Sequence, residues 1–276
     1  MRNLLIIGAG YSGRATAALA RAGGWGTGEV ALTTRGAPGP GEVAFADPAP
    51  LARATHLLVT APPGEAGDPV WAAHAATLRA AAFAWVGYLS TTGVYGDRGG
   101  AMVDEATPPA PQQPRSRRRL EAERQWQALA CPVDVFRVGG IYGPGRSALD
   151  EARAGTARRV VKPGHAFGRI HRDDIALACL AAAGRPDGHR ILHLVDDEPA
   201  EPARVAEEAA RLLGRPPPPK VPFAEAYAAM SEMGRSFWSE SRRVANARTK
   251  AALGIAWQYP TYREGLAAIL EAEQRG

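Results

Sequence analysis

A short apolar run breaks at once into a cluster of glycines near the start of the chain, and no other feature restricts the fold so tightly. Leu4-Leu5-Ile6-Ile7 is continuously apolar, as a strand buried on both faces must be. It leads directly into Gly8-Ala9-Gly10-Tyr11-Ser12-Gly13, and residues Ser12 to Ala22 carry a helical pattern. The spacing G-x-G-x-x-G between strand and helix has a mechanical reading. Gly8 permits the tight turn, Gly10 lets the backbone approach a pyrophosphate, and Gly13 lets helix and strand pack closely. The helix N-terminus adds free N–H groups and the positive end of its dipole.

The alternation continues. Val30–Thr34, Val43–Phe45, His56–Thr60, Trp85–Leu89 and Val133–Val138 read as strands, with helical stretches at Val70–Ala82 and Arg117–Leu129. Strand–helix alternation on this scale predicts an α/β protein with a Rossmann-type, doubly wound parallel sheet. After about Gly139 the rhythm changes to helices at Ala148–Ala157, Asp173–Ala183, Ala203–Leu213 and Tyr262–Glu271. The expected organisation is a nucleotide-binding core over residues 1–145 and a small, mainly helical substrate-side region over 146–276. The two interleave, because Val160-Val161 and Ile191–Val195 keep strand character and could join the sheet. Arg215 to Lys220 is a Pro-rich linker, and Phe223–Trp238 is amphipathic with Met and aromatic residues that suit packing.

Composition removes several classes of function. No apolar run among the 276 residues approaches the ~20 needed to span a bilayer, and the N-terminal run stops too early for a signal peptide, so a soluble, cytoplasmic protein is expected. Cys131 and Cys179 lack metal spacing and cannot form a disulfide framework; both read as inert thiols, and no metal site is expected. The net charge is +5, with one basic cluster at Arg115–Arg119. That cluster is too small and too poor in aromatics to predict a nucleic-acid partner; a small-molecule substrate is expected, and a homodimer is possible.

The end of the second strand selects the cofactor. NAD sites carry Asp or Glu there for the ribose hydroxyls. Here the sequence is Thr33-Thr34-Arg35, with no acid before Glu42. Arginine attracts a 2′-phosphate that a carboxylate would repel, so NADP is expected rather than NAD. The expected cofactor residues are Gly8, Gly10, Tyr11, Ser12, Gly13, Thr34 and Arg35, with Ala61 and Pro62 where the fourth strand stops.

Tyr88-Leu89-Ser90-Thr91-Thr92-Gly93-Val94-Tyr95-Gly96-Asp97 resembles the strand-end motif of extended short-chain dehydrogenases/reductases. Arg137–Arg146, containing Tyr142-Gly143-Pro144-Gly145, resembles a second family segment, and Arg169–Ala176, with His171 and Asp174, a third. Arg243–Asn246, Leu253-Gly254 and Tyr259–Leu266 resemble the tail of NAD(P)-dependent epimerase/dehydratase-like members, so the likeness covers nearly the whole chain.

The resemblance implies catalytic positions. Thr91, four residues before the Tyr of Val94-Tyr95-Gly96, takes the place of the family's catalytic Ser/Thr. The acid/base pair Tyr-x-x-x-Lys is absent. Leu120-Glu121-Ala122-Glu123 sets the register, and Arg115 and Arg119 stand at the Tyr and Lys positions. Arg119 could hold the nicotinamide ribose and Arg115 an anionic group, but an arginine stays protonated and is no general base. Tyr95, Asp97, Tyr142, His165 and His171 are the other candidates for a proton donor; His171 has the most suitable titration range, and can equally be a helix-entry residue. Two readings follow: an NADP-dependent oxidoreductase or epimerase/dehydratase-like enzyme acting on a small polar, possibly anionic substrate, or a catalytically silent NADP-binding sensor or scaffold.

Overall fold

The computed structural model describes residues 2–23, 25 and 29–275. In chain order the strands and helices of the first half are β1 (Leu4–Ile7), α1 (Tyr11–Ala22), β2 (Val30–Thr34), β3 (Glu42–Ala44), α2 (Ala49–Arg53), β4 (His56–Val59), α3 (Pro69–Ala80), β5 (Trp85–Thr91), β6 (Met102–Val103), α4 (Pro114–Gln127) and β7 (Val133–Val138). The second half adds β8 (Gly140–Tyr142), α5 (Ala148–Arg153), β9 (Arg159–Val161), β10 (Arg169–His171), α6 (Arg172–Ala183), β11 (His189–Leu194), α7 (Pro202–Leu212), β12 (Lys220–Pro222), α8 (Phe223–Ala228), α9 (Glu232–Trp238), β13 (Arg243–Val244), α10 (Ala247–Leu253) and α11 (Tyr262–Arg275).

Seven strands form one parallel sheet in the order β11-β7-β5-β4-β1-β2-β3. The chain leaves β1 toward β2 on one side and returns to pair β4 on the other, so a crevice opens at the carboxyl end of β1. Alternation along β1 shows how the layers are held. Leu4 and Ile6 pack with Ala17 and Ala20 of α1 and with Ile175 and Cys179 of α6. Leu5 and Ile7 turn to the other face, against Leu78 of α3 and Trp126 of α4. A strand with period-two side chains and helices on both faces must be apolar throughout, which is why its sequence is an unbroken run. A third cluster joins Leu149, Val205, Ala209, Tyr262 and Leu266 and holds α5, α7 and α11 together.

The structure departs from the sequence expectation in several places. Helix α4 begins at Pro114, not Arg117, because proline at the first helical position costs no hydrogen bond and presets φ. This places Arg115 and Arg119 one turn apart on one helix. The strand near residue 160 forms, but β9 pairs with β12 outside the main sheet. The strand near 191 pairs with β7 and ends the main sheet. The linker reading fails at its end, since Lys220 opens β12, and Phe223–Trp238 divides into two short helices around Ala229–Ser231. Helix α5 stops at Arg153, ahead of Gly155 with its φ of +68°.

Candidate functional site

The glycine turn has the local geometry that its spacing predicts. Gly8 has φ +110°, and a Cβ there would lie 2.5 Å from Thr60 Oγ1 at the end of β4. A Cβ at Gly13 would lie 2.1 Å from the Gly8 carbonyl oxygen, so helix and turn touch. Gly10 differs: a Cβ there meets nothing within 4 Å. The backbone at Gly10 therefore faces open space, and α1 begins there with no side-chain cap on its N–H groups. Packing does not require a glycine at that position, whereas a group approaching the backbone does. Ser12 is buried, and Ala61 and Pro62 follow Thr60, whose hydroxyl donates to the carbonyls of Ile7 and Gly8. The Tyr11 side chain turns aside; its hydroxyl donates to the Pro144 carbonyl at 3.0 Å, with Arg172 and Arg146 over its ring at 5.0 and 5.7 Å.

At the end of β2, Thr34 Oγ1 accepts from the Gly36 N–H, and Arg35 is exposed. The first acid after the strand, Glu42, is held by Arg14 at 2.7 Å. The Gly39 backbone N–H and Arg14 together keep its carboxyl below the usual range.

Across the crevice, the carboxyl ends of β5 and β7 open into a cavity of about 630 Å³. Thr91, Arg115 and Arg119 all line it. Thr91 Oγ1 accepts from the Gly93 N–H at 3.1 Å, which leaves its own O–H free to donate. Arg119 reaches back to β5, donating to the Leu89 carbonyl at 2.8 Å and the Tyr88 hydroxyl at 3.2 Å. Arg115 lies 4.0 Å over the ring of Phe237. Helix α9 supplies Phe237 and Trp238 to the wall, and the segment that follows supplies Glu240 and Arg242. Glu240 pairs with Arg242 at 2.8 Å, and Arg242 also donates to the Gly96 carbonyl at 2.8 Å.

The remaining sequence candidates lie elsewhere. Tyr95 is sealed in the core; its hydroxyl contacts the Asp104 carbonyl and, at 2.5 Å, His193, and burial raises its pKa. His171 is buried at the entry of α6, where Nδ1 accepts from the Asp173 N–H at 3.2 Å; burial lowers its pKa to about 4. Tyr142 is packed edge-on to His171, and its phenol is pushed well above the usual value by burial. His165 stacks on Trp238 with ring centroids 5.3 Å apart, and burial takes it to about 4. Asp97 is exposed and accepts from the Ser241 N–H at 2.8 Å, tying this strand-end motif to the segment that carries Arg242.

Sequence reasoning missed three parts of this region. Glu123, which served only to set the register of α4, is buried and bonded to Arg137 and to the Ser90 hydroxyl. The aromatic and charged wall from Phe237 to Arg242 has no local period that distinguishes it from a packing segment. Asp196 is buried beside Arg169, and burial lifts its carboxyl to about 8.

A doubly wound parallel sheet with an uncapped glycine turn at its switch point and a cavity beside it defines a dinucleotide-binding α/β protein of the Rossmann type. A solved structure of a functionally unknown protein from Silicibacter pomeroyi DSS is 42% identical, with TM-score 0.88, over 99% of this chain and 100% of that one. A candidate NAD-dependent epimerase/dehydratase from Methylobacillus flagellatus is 25% identical with TM-score 0.74, covering 99% of both chains. The chain is thus similar to NAD(P)-dependent epimerase/dehydratase-like proteins of the short-chain dehydrogenase/reductase superfamily. The human epimerase family protein SDR39U1, solved with NADPH, shares the fold at 22% identity and TM-score 0.80 over 98% of this chain and 99% of that one. Among curated proteins, 3-diazoavenalumate denitrifying reductase from a Streptomyces species is 35% identical over 140 residues, 48% of this chain and 45% of that protein. Protein YeeZ from Escherichia coli is 30% identical over 177 residues, 63% of this chain and 58% of that protein. The matches thus span about half the length of these curated relatives. No protein-family model matches the chain. Among the described residues no helix is long and apolar enough to cross a membrane.

Proposed function

We propose that the protein is an NADP(H)-dependent oxidoreductase of the atypical kind, acting on a small polar, anionic substrate held in the cavity beside Thr91. The observation that carries this reading is the open backbone at Gly10 in a turn where Gly8 and Gly13 are fixed by packing. A glycine with free space around it at an uncapped helix N-terminus suits a pyrophosphate. Thr34 and Arg35 in place of an acid favour a 2′-phosphorylated adenosine, and the NADPH solved with the human family member supports the same choice.

When bound, NADP(H) would supply or accept a hydride. The chain's own residues would do the rest. Arg119, fixed by the Leu89 carbonyl and the Tyr88 hydroxyl, stands at the Lys position of the resembled Tyr-x-x-x-Lys motif and would bind the nicotinamide ribose. The Thr91 hydroxyl has a hydrogen to donate and would hold the substrate oxygen. Arg115 would orient an anionic substituent. No phenol or imidazole among the expected catalytic residues lines this cavity, so any proton would come from solvent.

The missing Tyr-x-x-x-Lys pair also favours a second reading, a silent NADP-binding sensor or scaffold. One experiment separates the two. Purified protein is titrated with NADPH and NADH, then screened against small carbonyl acids by loss of nicotinamide absorbance. Turnover abolished by Thr91→Ala supports the enzyme; tight NADPH binding with no turnover on any acid supports the sensor.

A further inference from the structure

The cavity beside Thr91 is lined by a cation that no side chain among the described residues contacts as an ion pair. Arg115 is half-buried and, among the described residues, makes neither an ion pair nor a hydrogen bond; the face of Phe237 lies 4.0 Å from it, and Glu240 and Arg242 are the charges that act on it. The carboxylate on this wall, Glu240, pairs with Arg242 through Oε2, and its Oε1 is buried without a hydrogen-bond partner. Two guanidiniums and one carboxylate leave the trio at net +1, and Arg242 Nε is buried with no partner. A half-desolvated guanidinium facing a cavity is poised for an anion that can accept two parallel N–H bonds, which a carboxylate does.

Three aromatic rings, Phe167, Phe237 and Trp238, also line the cavity. Phe167 and Trp238 meet edge to face at 5.5 Å, and Trp238 stacks on His165 behind it. The Trp238 backbone carbonyl accepts from Lys162 at 2.7 Å, and Phe223 also packs on the ring at 5.3 Å. Gly139, Gly140 and Gly168 line the cavity without side chains, and a Cβ at Gly139 would lie 2.8 Å from the Gly168 carbonyl oxygen. A sugar gains from such rings only where its C–H faces meet them, and its hydroxyls depend on the polar groups elsewhere in the lining. A flat ring loses nothing there and gains area and quadrupole contacts.

We propose that the substrate is an aromatic carboxylate, its acid group bound by Arg115 and its ring received by the wall of Phe167, Phe237 and Trp238. This rests on the cavity being the substrate pocket of the proposed oxidoreductase, and it narrows the substrate to one chemical class.

Isothermal titration of the purified full chain tests it, without and with saturating NADP+. The probes are cinnamate, cinnamyl alcohol as the uncharged counterpart, hexanoate as the non-aromatic acid, and UDP-glucose as a sugar nucleotide. Cinnamate should bind about ten-fold or more tighter than the alcohol, the value of one charge-assisted hydrogen bond, and tighter than hexanoate. Arg115→Met should erase the preference for cinnamate over the alcohol at unchanged thermal stability, and Phe237→Ala should narrow the gap between cinnamate and hexanoate. Equal binding of cinnamate and the alcohol, an Arg115→Met protein that binds cinnamate as before, or UDP-glucose bound more tightly than cinnamate would overturn the proposal. NADP+ binding without any cinnamate binding would sink the substrate class and spare the cofactor reading; Arg115-dependent cinnamate binding without NADP+ binding would do the reverse.

Discussion

Arg137 and Glu123 form a forked ion pair in the core, with Arg137 Nη2 and Nε donating to the two carboxylate oxygens at 2.8 and 3.2 Å. The Ser90 hydroxyl donates to the same carboxylate. One residue from α4, one from β5 and one from β7 are thus locked together directly behind Thr91. Glu123 also lies one helical turn beyond Arg119 and two beyond Arg115, so the pair sets the rotation of α4 that aims both arginines at the cavity.

Glu123→Ala should therefore be severely destabilising. It strands a buried guanidinium, for which about 3–5 kcal/mol is the expected loss. The double variant Glu123→Leu/Arg137→Met removes both charges and should recover most of that, because well-packed apolar replacements of a buried pair are near neutral. Urea denaturation of the single and double variants decides it. A double variant no more stable than Glu123→Ala would show that the pair is not what holds these elements together.

Arg119 connects α4 to the end of β5 through the Leu89 carbonyl. It is half-buried, and its removal leaves that carbonyl to solvent in the open cavity. Arg119→Ala should thus cost little folding stability but weaken NADPH binding by about ten-fold, the value of a lost charge-assisted hydrogen bond. Arg119→Lys should restore much of the affinity, since an ammonium keeps a charged donor at the end of a long side chain. NADPH titrations of both variants check this; wild-type affinity in Arg119→Ala would remove Arg119 from the cofactor site.

The parts of this site that were legible in the sequence are local in the chain. The glycine turn is read from six consecutive residues, because strand, turn and helix are adjacent and each glycine answers a nearby steric demand. The parallel sheet was legible for a related reason, since strands buried on both faces must be unbroken apolar runs. The wall of Phe237, Trp238, Glu240 and Arg242 was not. These residues meet Arg115 only because β13 pairs with β6 and because Asp97 holds Ser241, contacts that join segments more than a hundred residues apart. Tyr95 shows the opposite limit. Its motif position suggested chemistry, while its burial against His193 is set by β11, a strand contributed far downstream.

Gly10 and Arg35 give a paired test of the cofactor. Because a Cβ at Gly10 meets nothing, Gly10→Val should fold with unchanged thermal stability yet lose dinucleotide binding, its methyls filling the space a pyrophosphate needs. Arg35→Asp should weaken NADPH binding by about ten-fold or more and spare NADH, since a carboxylate repels the 2′-phosphate and accepts from ribose hydroxyls. Calorimetric titration of both variants with both dinucleotides checks this. Intact binding in Gly10→Val would displace the cofactor from this turn, and an unchanged NADPH/NADH ratio in Arg35→Asp would remove the basis for choosing NADP.

His165 links acidity to the order of the aromatic wall. Burial, with Lys162 and Arg242 nearby, outweighs the pull of Asp97 and Glu201 and holds its pKa at about 4 in the folded chain. An unfolded histidine titrates near 6.5. Between those values the unfolded chain binds the proton and the folded chain does not, so this residue's contribution to stability is full above about pH 6.5 and is lost as the pH falls toward 4. His165→Phe keeps a ring against Trp238 and cannot titrate; His165 Nε2 has no partner to lose. The variant should match the wild type less closely as the pH falls, unfolding at higher urea than the wild type at pH 5 relative to their difference at pH 7. Parallel loss of stability in the two proteins across that window would show that His165 is not among the groups responsible for it.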